Sequence, residues 1–254
     1  MFNLWLKIKN LYRYWFDITK EGTDLDYSKL SEVTKLSHHN ITKTFVWDNL
    51  GYHPENLEQW YNRECVRITD NIFYIDSRFE PKTFPNGIYI KYAVGVAISK
   101  RLVNVNEYVE CEIFIPKANG QWFAFWLSGS VKWPPEIDIV EGYSRRDNYK
   151  DYKKFQPNLH YRKGDGLKKK SIGAVDRPLP KTLKGRFVKF GLLWKKDRIE
   201  WYYNGYLVKV LTNKNILLYM NEPLRLKINS GIQAVYNPQD TTTIFKNIKI
   251  YRIG

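Results

Sequence analysis

From about residue 44 onward the chain alternates short apolar or every-other-residue runs with turn residues: CVRITDNIFYIDSRF, GIYIKYAVGVAIS, EYVECEIFIP, WFAFWLSG, FVKFGLLW, RIEWYYNGYLVKVL, LRLKINSGI and IFKNIKIYRI. A period of two puts alternate side chains on opposite faces of a strand, and many such runs at short spacing predict an all-β sandwich or barrel. Asn204-Gly205 in YNGYL supplies the positive φ angles of a tight hairpin, and Asn119-Gly120 in PKANGQ gives the same signal. No long helical period occurs after residue 44 and no repeat divides the region. The pattern therefore predicts one sandwich domain over 41–254, preceded by an extension over 1–40. Within that extension Phe2, Trp5, Ile8, Tyr12 and Trp15 recur at helical spacing, which suits an amphipathic helix docked on its own domain, on a partner or on a membrane surface.

One strand-like run breaks the alternation. WPPEIDIVEGY, residues 133–143, carries Glu136, Asp138 and Glu141 among apolar residues. Regular pleating puts Glu136 and Asp138 on one face and Glu141 on the other, which is an ordinary half-exposed strand. A single extra residue near Val140 reverses the parity of the positions after it and brings the three carboxyls together. Such a set suits cleavage of a glycosidic bond with retention, which needs an ionised carboxylate as nucleophile and a protonated carboxyl as acid. The middle acid can then hold the other two at different pKa values. Trp122, Phe125, Trp126 and Trp133 crowd the approach and Tyr143 stands just beyond it, offering flat rings on which a sugar ring can stack, although large aromatics also fill cores. Alternation through WFAFW sets Trp122, Ala124 and Trp126 on one face and Phe123 and Phe125 on the other, without saying which face is core.

Composition narrows the classes. No run approaches eighteen consecutive apolar residues, so no membrane-spanning helix is expected. MFNLWLKIKNLYRYWFDITKEG lacks the uninterrupted apolar stretch of a secretory signal. The two cysteines, Cys65 and Cys111, lack zinc-site spacing and are expected as buried thiols, with a single bridge left open. The net charge of +15 is concentrated between about residues 145 and 198, through Arg145, Arg146, Lys153, Lys154, Lys168, Lys169, Lys170, Lys195 and Lys196. Such a segment is either a solvated lysine-rich surface or a site for a polyanion. The long glycine- and proline-containing loop after the strand near Leu159–Tyr161 borders a binding surface on this reading.

The block NEYVECEIFIPKANGQWFAFWLSGSVKWPPEIDIVEGY resembles the centre of glycoside hydrolase family 16, whose signature is E-x-D-x-(x)-E. The six-residue form is similar to the laminarinase, agarase and carrageenase branches rather than to bacterial lichenases. FVWDNLGYHPENLEQW, GVAISK, PNLHY, FGLLWKKDRIEWYYNGYLV, PLRLKINSGI and FKNIKIYRI keep the family order, so the resemblance covers about 41–254. It implies a β-jelly roll of two antiparallel sheets with a concave cleft. It also implies Glu136 as nucleophile, Asp138 as its assistant and Glu141 as acid/base. Trp122, Trp126, Trp133, Tyr143, His160 and Asn229 are then substrate-binding, with His160 near the acid/base. At the position where many members carry an aspartate that helps bind calcium, this chain has Lys246, and an ammonium cannot ligate a hard cation. No metal and no cofactor is expected.

The function expected is an endo-acting retaining hydrolase of β-1,3- or mixed β-1,3/1,4-glucan. A hydrolase of sulfated or anionic galactan and a non-catalytic polysaccharide-binding jelly roll stand as alternatives. The expected partner is a polysaccharide, to a monomeric protein; a nucleic-acid binder would rest on charge alone. The absent secretory signal leaves localisation open between extracellular action and release by lysis, as for a phage-encoded enzyme.

Overall fold

The computed structural model describes residues 30–35, 52–53, 56–129, 132–143, 154–162, 169–171, 177–178, 185–233 and 238–253. The helix expected over residues 2–15 lies outside them, as do Arg145, Arg146, Lys153 and Lys168 of the basic segment. The chain folds as the all-β sandwich that its alternation predicts and as the β-jelly roll that the family resemblance implies, and almost all its described elements are strands.

The outer sheet is built from β3 (Asn56–Tyr61), β4 (Val66–Thr69), β5 (Ile72–Thr83), β6 (Tyr89–Val103), β7 (Glu107–Phe114), β14 (Phe187–Trp194), β15 (Ile199–Tyr203), β16 (Tyr206–Leu211) and β18 (Thr241–Ile253), with β1 (Leu30–Lys35) and β2 (Tyr52–His53) at its margin. The closing strand β18 lies between β7 on one edge and, on the other, β5 and then β1. The segment 1–40, read as an extension, thus contributes a strand hydrogen-bonded to the last one.

The inner sheet runs β6, β17 (Leu224–Ile232), β8 (Gln121–Gly129), β9 (Glu136–Tyr143), β11 (Asn158–Arg162) and β12 (Lys169–Ser171). Two short strands, β10 (Lys154–Phe155) and β13 (Arg177–Pro178), pair beside the far end of β9. The fifteen-residue β6 belongs to both sheets, pairing with β5 and then with β17. The basic stretch expected as one loop therefore contains β12 and β13. A short helix α1 (Lys214–Leu217) links β16 towards β17.

Between the sheets lies one large apolar core that includes Phe73, Ile75, Val109, Ile113, Phe123, Phe125, Ile137, Ile139, Val140, Phe190, Leu192, Trp194 and Trp201. The core settles which face of WFAFW is which. Phe123 and Phe125 are buried in it, so Trp122 and Trp126 face the other way. At roughly 2 kcal/mol for each large apolar side chain buried, these inward positions hold the sheet that carries the cleft. The Asn204-Gly205 hairpin between β15 and β16 has φ of 49° and 80°, as the sequence predicts. Cys65 and Cys111 are both buried and unbridged, and burial pushes the Cys65 thiol up to about 11.

Candidate active site

The acidic strand β9 pairs antiparallel with β8, and the register shifts once. Asp138 lies opposite Trp126 and Val140 opposite Phe125, leaving Ile139 as the extra residue. This is the bulge expected near Val140. Ile137, Ile139 and Val140 are all fully buried, so the irregularity packs two adjacent residues into the core and turns Glu136, Asp138 and Glu141 to the opposite side. Gly142, just after Glu141, lies against the Phe123 ring, where an added Cβ would come within 2.2 Å of a ring carbon. A larger residue there would push β9 off its neighbour.

Because paired residues in adjacent strands share a face, the cleft floor reads as transverse rows. One row is Arg225, Ser128, Glu136, His160; the next is Lys227, Trp126, Asp138, Asn158; a third is Asn229, Ala124, Glu141. The acids stand on one strand with the tryptophans beside them.

The contacts are specific. Trp133 Nε1 donates to Glu136 Oε2 at 2.8 Å, and Trp122 Nε1 donates to Glu141 Oε1 at 3.1 Å. Trp126 Nε1 donates to Asn229 Oδ1 at 2.8 Å. Two consecutive cis peptide bonds, Trp133–Pro134 and Pro134–Pro135, precede β9, and the Trp133 carbonyl accepts from Arg162 Nη2 at 2.7 Å. His160 Nε2 lies 3.5 Å from Glu136 Oε1, 3.4 Å from Asp138 Oδ2 and 3.2 Å from Asn158 Nδ2. The sequence expectation set this histidine near Glu141; register sets it opposite Glu136, at the other end of the acidic row.

Asp138 is only 3% exposed. From behind, Trp201 of the outer sheet donates its indole N–H to the Asp138 backbone carbonyl at 2.9 Å, fixing this point of β9 to the second layer. Asp138 Oδ2 is buried and makes no hydrogen bond among the described residues. Burial foremost, then the Glu141 carboxyl, raises the Asp138 pKa well above the usual carboxylate range, against the opposing pull of Lys209. Burial again leads in pushing Glu136 from 4.5 up to about 8, helped by Asp138 and Glu141 and opposed by His160 and the Trp133 N–H. Like charges this close cannot all ionise in a dry floor, so the cluster holds a proton near neutrality. Asp138 is the more deeply buried, whereas Glu136 is less buried and accepts a hydrogen bond from Trp133. Desolvation and hydrogen bonding thus make Glu136 the first of the two to ionise, as pH passes about 8, while Asp138 keeps its proton.

All the site residues named from the sequence except Tyr143 have a place here. Glu136, Asp138, Glu141, Trp122, Trp126, Trp133, His160 and Asn229 lie on or beside the same floor. Tyr143 pairs through its backbone with Trp122, and its side chain is outside the description. Asn158, Trp201 and Lys209 were missed. Asn158 had a signal, since in PNLHY it shares the face of His160; Trp201 and Lys209 come from the other sheet and had none.

Glu136, Asp138 and His160 also bring three potential ligand atoms within 4.8 Å of one another, a donor set that a divalent transition ion accepts. At the position tested for calcium, Lys246 Nζ lies 3.4 Å from Glu112 Oε2 and 4.0 Å from the centroid of the Phe187 ring. An ammonium already paired with the local carboxylate does not fit a hard-cation site.

Fold and floor together define a jelly-roll sandwich whose inner sheet carries an acidic, tryptophan-lined cleft. The chain belongs to glycosyl hydrolases family 16, whose sequence profile matches residues 90–247. Among curated proteins it is 24% identical over 203 residues to glucan endo-1,3-beta-glucosidase A1 of Niallia circulans, covering 76% of this chain and 28% of that protein. It is 27% identical over 132 residues to endo-1,3-1,4-beta-glycanase EglC of Rhizobium meliloti, covering 52% and 26%. The chain thus spans less than a third of the length of these curated relatives. Among solved structures, LamAcat from Zobellia galactanivorans superposes with a TM-score of 0.65 at 22% identity, covering 80% of this chain and 87% of that one. The endo-beta-1,3-glucanase from Pyrococcus furiosus does so with a TM-score of 0.59 at 23% identity, covering 78% and 81%. At these identities the solved structures show a shared fold. The described residues contain no helix long and apolar enough to cross a membrane.

Proposed function

We propose that this protein is an endo-acting glycoside hydrolase that cleaves β-1,3- or mixed β-1,3/1,4-glucan with retention of configuration. The observation that carries the reading is the bulge at Ile139, which turns Glu136, Asp138 and Glu141 onto one tryptophan-lined floor. Curated relatives named as a glucan endo-1,3-beta-glucosidase and an endo-1,3-1,4-beta-glycanase support the substrate class.

In this reading Glu136 is the nucleophile. Its carboxylate attacks the anomeric carbon while Glu141 gives its proton to the leaving oxygen, forming a glycosyl-enzyme ester. Glu141, now ionised, takes a proton from water, which attacks the same carbon and releases Glu136. Opposite Glu136 and Glu141 on β8 stand Ser128 and Ala124, four residues apart, so the two backbones are separated by roughly 13 Å at about 3.3 Å per residue. Two glutamate side chains leaning toward each other close much of that gap, and retention calls for carboxyls ~5–5.5 Å apart. Once Glu136 has ionised, Asp138 keeps the remaining proton, and Glu136 stays charged for attack. Trp126, held by Asn229, is the main stacking surface.

The test is reducing-end release from laminarin and from barley mixed-linkage glucan, with the anomer formed first read by proton NMR. The β-anomer is expected. Release of the α-anomer would refute retention, and turnover of sulfated galactans alone would refute the glucan assignment.

A further inference from the structure

The cleft floor is electrically two-sided. On the strand next to Trp126, away from the acids, Arg225 and Lys227 occupy the cleft face of β17, alternating with the core residues Leu224, Leu226 and Ile228. Register places Arg225 opposite Ser128 and Lys227 opposite Trp126, in the same rows as Glu136 and Asp138. Lys227 is buried, at 4% exposure, with its Nζ 4.6 Å from the centroid of the more exposed Trp126 ring. Arg225 is partly exposed; its Nη1 donates to the Ser99 carbonyl at 3.3 Å, and its Nε is buried without a hydrogen-bond partner. No carboxylate pairs with Arg225 among the described residues.

The Arg225 side chain is partly exposed on the cleft face and has a single carbonyl as its hydrogen-bond partner among the described residues, so its guanidinium can take an acceptor from the cleft. A neutral glucan offers only hydroxyls to it. A carboxylate or sulfate offers the geometry that guanidinium matches best. The position is selective as well. Over β9 an anion meets three carboxyls, whereas over β17 it meets two cations roughly 10 Å away, two inter-strand spacings from the acids. That span corresponds to one or two sugar rings from the bond cut.

We infer that Arg225, supported by the field of Lys227 beneath Trp126, forms a subsite for an anionic substituent on the glucan chain, a uronate or an ester- or ketal-linked acid, one or two residues from the scissile bond. This specificity rests on the proposed glycoside hydrolase reading and deepens it. The same charge contrast sets the direction in which the chain lies in the cleft.

The experiment measures binding rather than turnover, so it stands apart from the hydrolase reading. In the full chain carrying Glu136→Gln, affinity for a β-1,3-gluco-oligosaccharide is compared by calorimetry with that for the same oligosaccharide oxidised at C6 to glucuronate in part of its residues. The oxidised ligand is expected to bind about tenfold tighter at low salt, the size of effect of a charge-assisted hydrogen bond. Arg225→Gln should abolish that preference and Lys227→Met should weaken it. Lys195→Gln with Lys196→Gln removes two positive charges outside the cleft and should preserve it. Equal affinity for both ligands overturns the subsite, as does a preference lost equally in the Lys195/Lys196 variant, which would reduce it to attraction by the +15 net charge. If wild-type protein cleaves neither ligand while the binding preference depends on Arg225, the hydrolase reading fails and the subsite stands. Circular dichroism on each variant separates lost folding from lost binding.

Discussion

Two strands of this sandwich carry three acids each at nearly mirrored spacing, and they do opposite things with them. β7 holds Glu107, Glu110 and Glu112; β9 holds Glu136, Asp138 and Glu141. Along β7 the register with β14 is unbroken, so Glu107 falls on the face of Val109, Cys111 and Ile113 while Glu110 and Glu112 fall on the other. Each is then held by its own partners. Glu107 takes Arg101 at 2.5 Å and the Asn104 backbone N–H, Glu110 takes the hydroxyls of Tyr251 and Tyr108, and Glu112 takes Asn247 and Lys246. Along β9 the bulge puts all three on one face, where they meet each other, two indole N–H groups and a histidine. The acids of β7 hold structure; those of β9 are left in mutual conflict, the condition under which carboxyls exchange protons with a substrate. Acidic spacing alone does not separate the two strands. The partner set does.

The largest effect that would break this contrast comes from the acids themselves. Glu136→Gln or Glu141→Gln is expected to lower kcat by at least ~10³-fold on laminarin while the folded state survives. Glu112→Gln in β7 should leave kcat/KM within a few-fold and cost about 1–2 kcal/mol of stability in denaturant melts. A comparable activity loss from Glu112→Gln would erase the distinction between the strands.

The pH profile comes next. In the proposed reaction Glu136 must be ionised to attack, and its pKa is raised to about 8, so kcat/KM should climb through the neutral range and level off above pH 8 on its acidic limb. His160→Gln removes an influence that lowers the Glu136 pKa and should move that limb to higher pH. A limb left in place by that substitution would separate His160 from the nucleophile.

The same shift has a stability signature. The folded Glu136 keeps its proton up to about pH 8, whereas the unfolded chain releases it near 4.5, so between those values the folded state binds more protons and loses stability as pH rises. Glu136→Gln removes this loss and should be the more stable protein at pH 8, by up to ~5 kcal/mol in denaturant titrations, with the advantage vanishing near pH 4. The smallest expected effect is at the indoles. Trp122→Phe deletes the N–H that holds Glu141 and should lower kcat by about tenfold with little change in KM, whereas Trp126→Ala should act mainly on KM.

Much of the fold was legible because a strand's face is set by its period of two, and the runs from CVRITDNIFYIDSRF to IFKNIKIYRI announce their buried sides without help. The bulge was legible for a related reason: Glu141 sits at the wrong parity, and only one inserted residue reconciles it with Glu136 and Asp138. The strand β1 was not, since its pairing with β18 joins residues more than two hundred positions apart and leaves no local period to read. His160 shows the same limit. Its chemistry was visible, but its neighbour was assigned to Glu141, and the antiparallel register with β9 gave it to Glu136.

The sequence by itself determined the class of fold, the acidic strand and its bulge, because alternation and its violation are local properties of a pleated backbone. Only the tertiary structure decided which aromatic face is core and that Trp201 holds Asp138 from behind. It alone also set Arg225 and Lys227 one strand beyond the tryptophans, because inter-strand register is fixed by how whole faces pack and not by any single run.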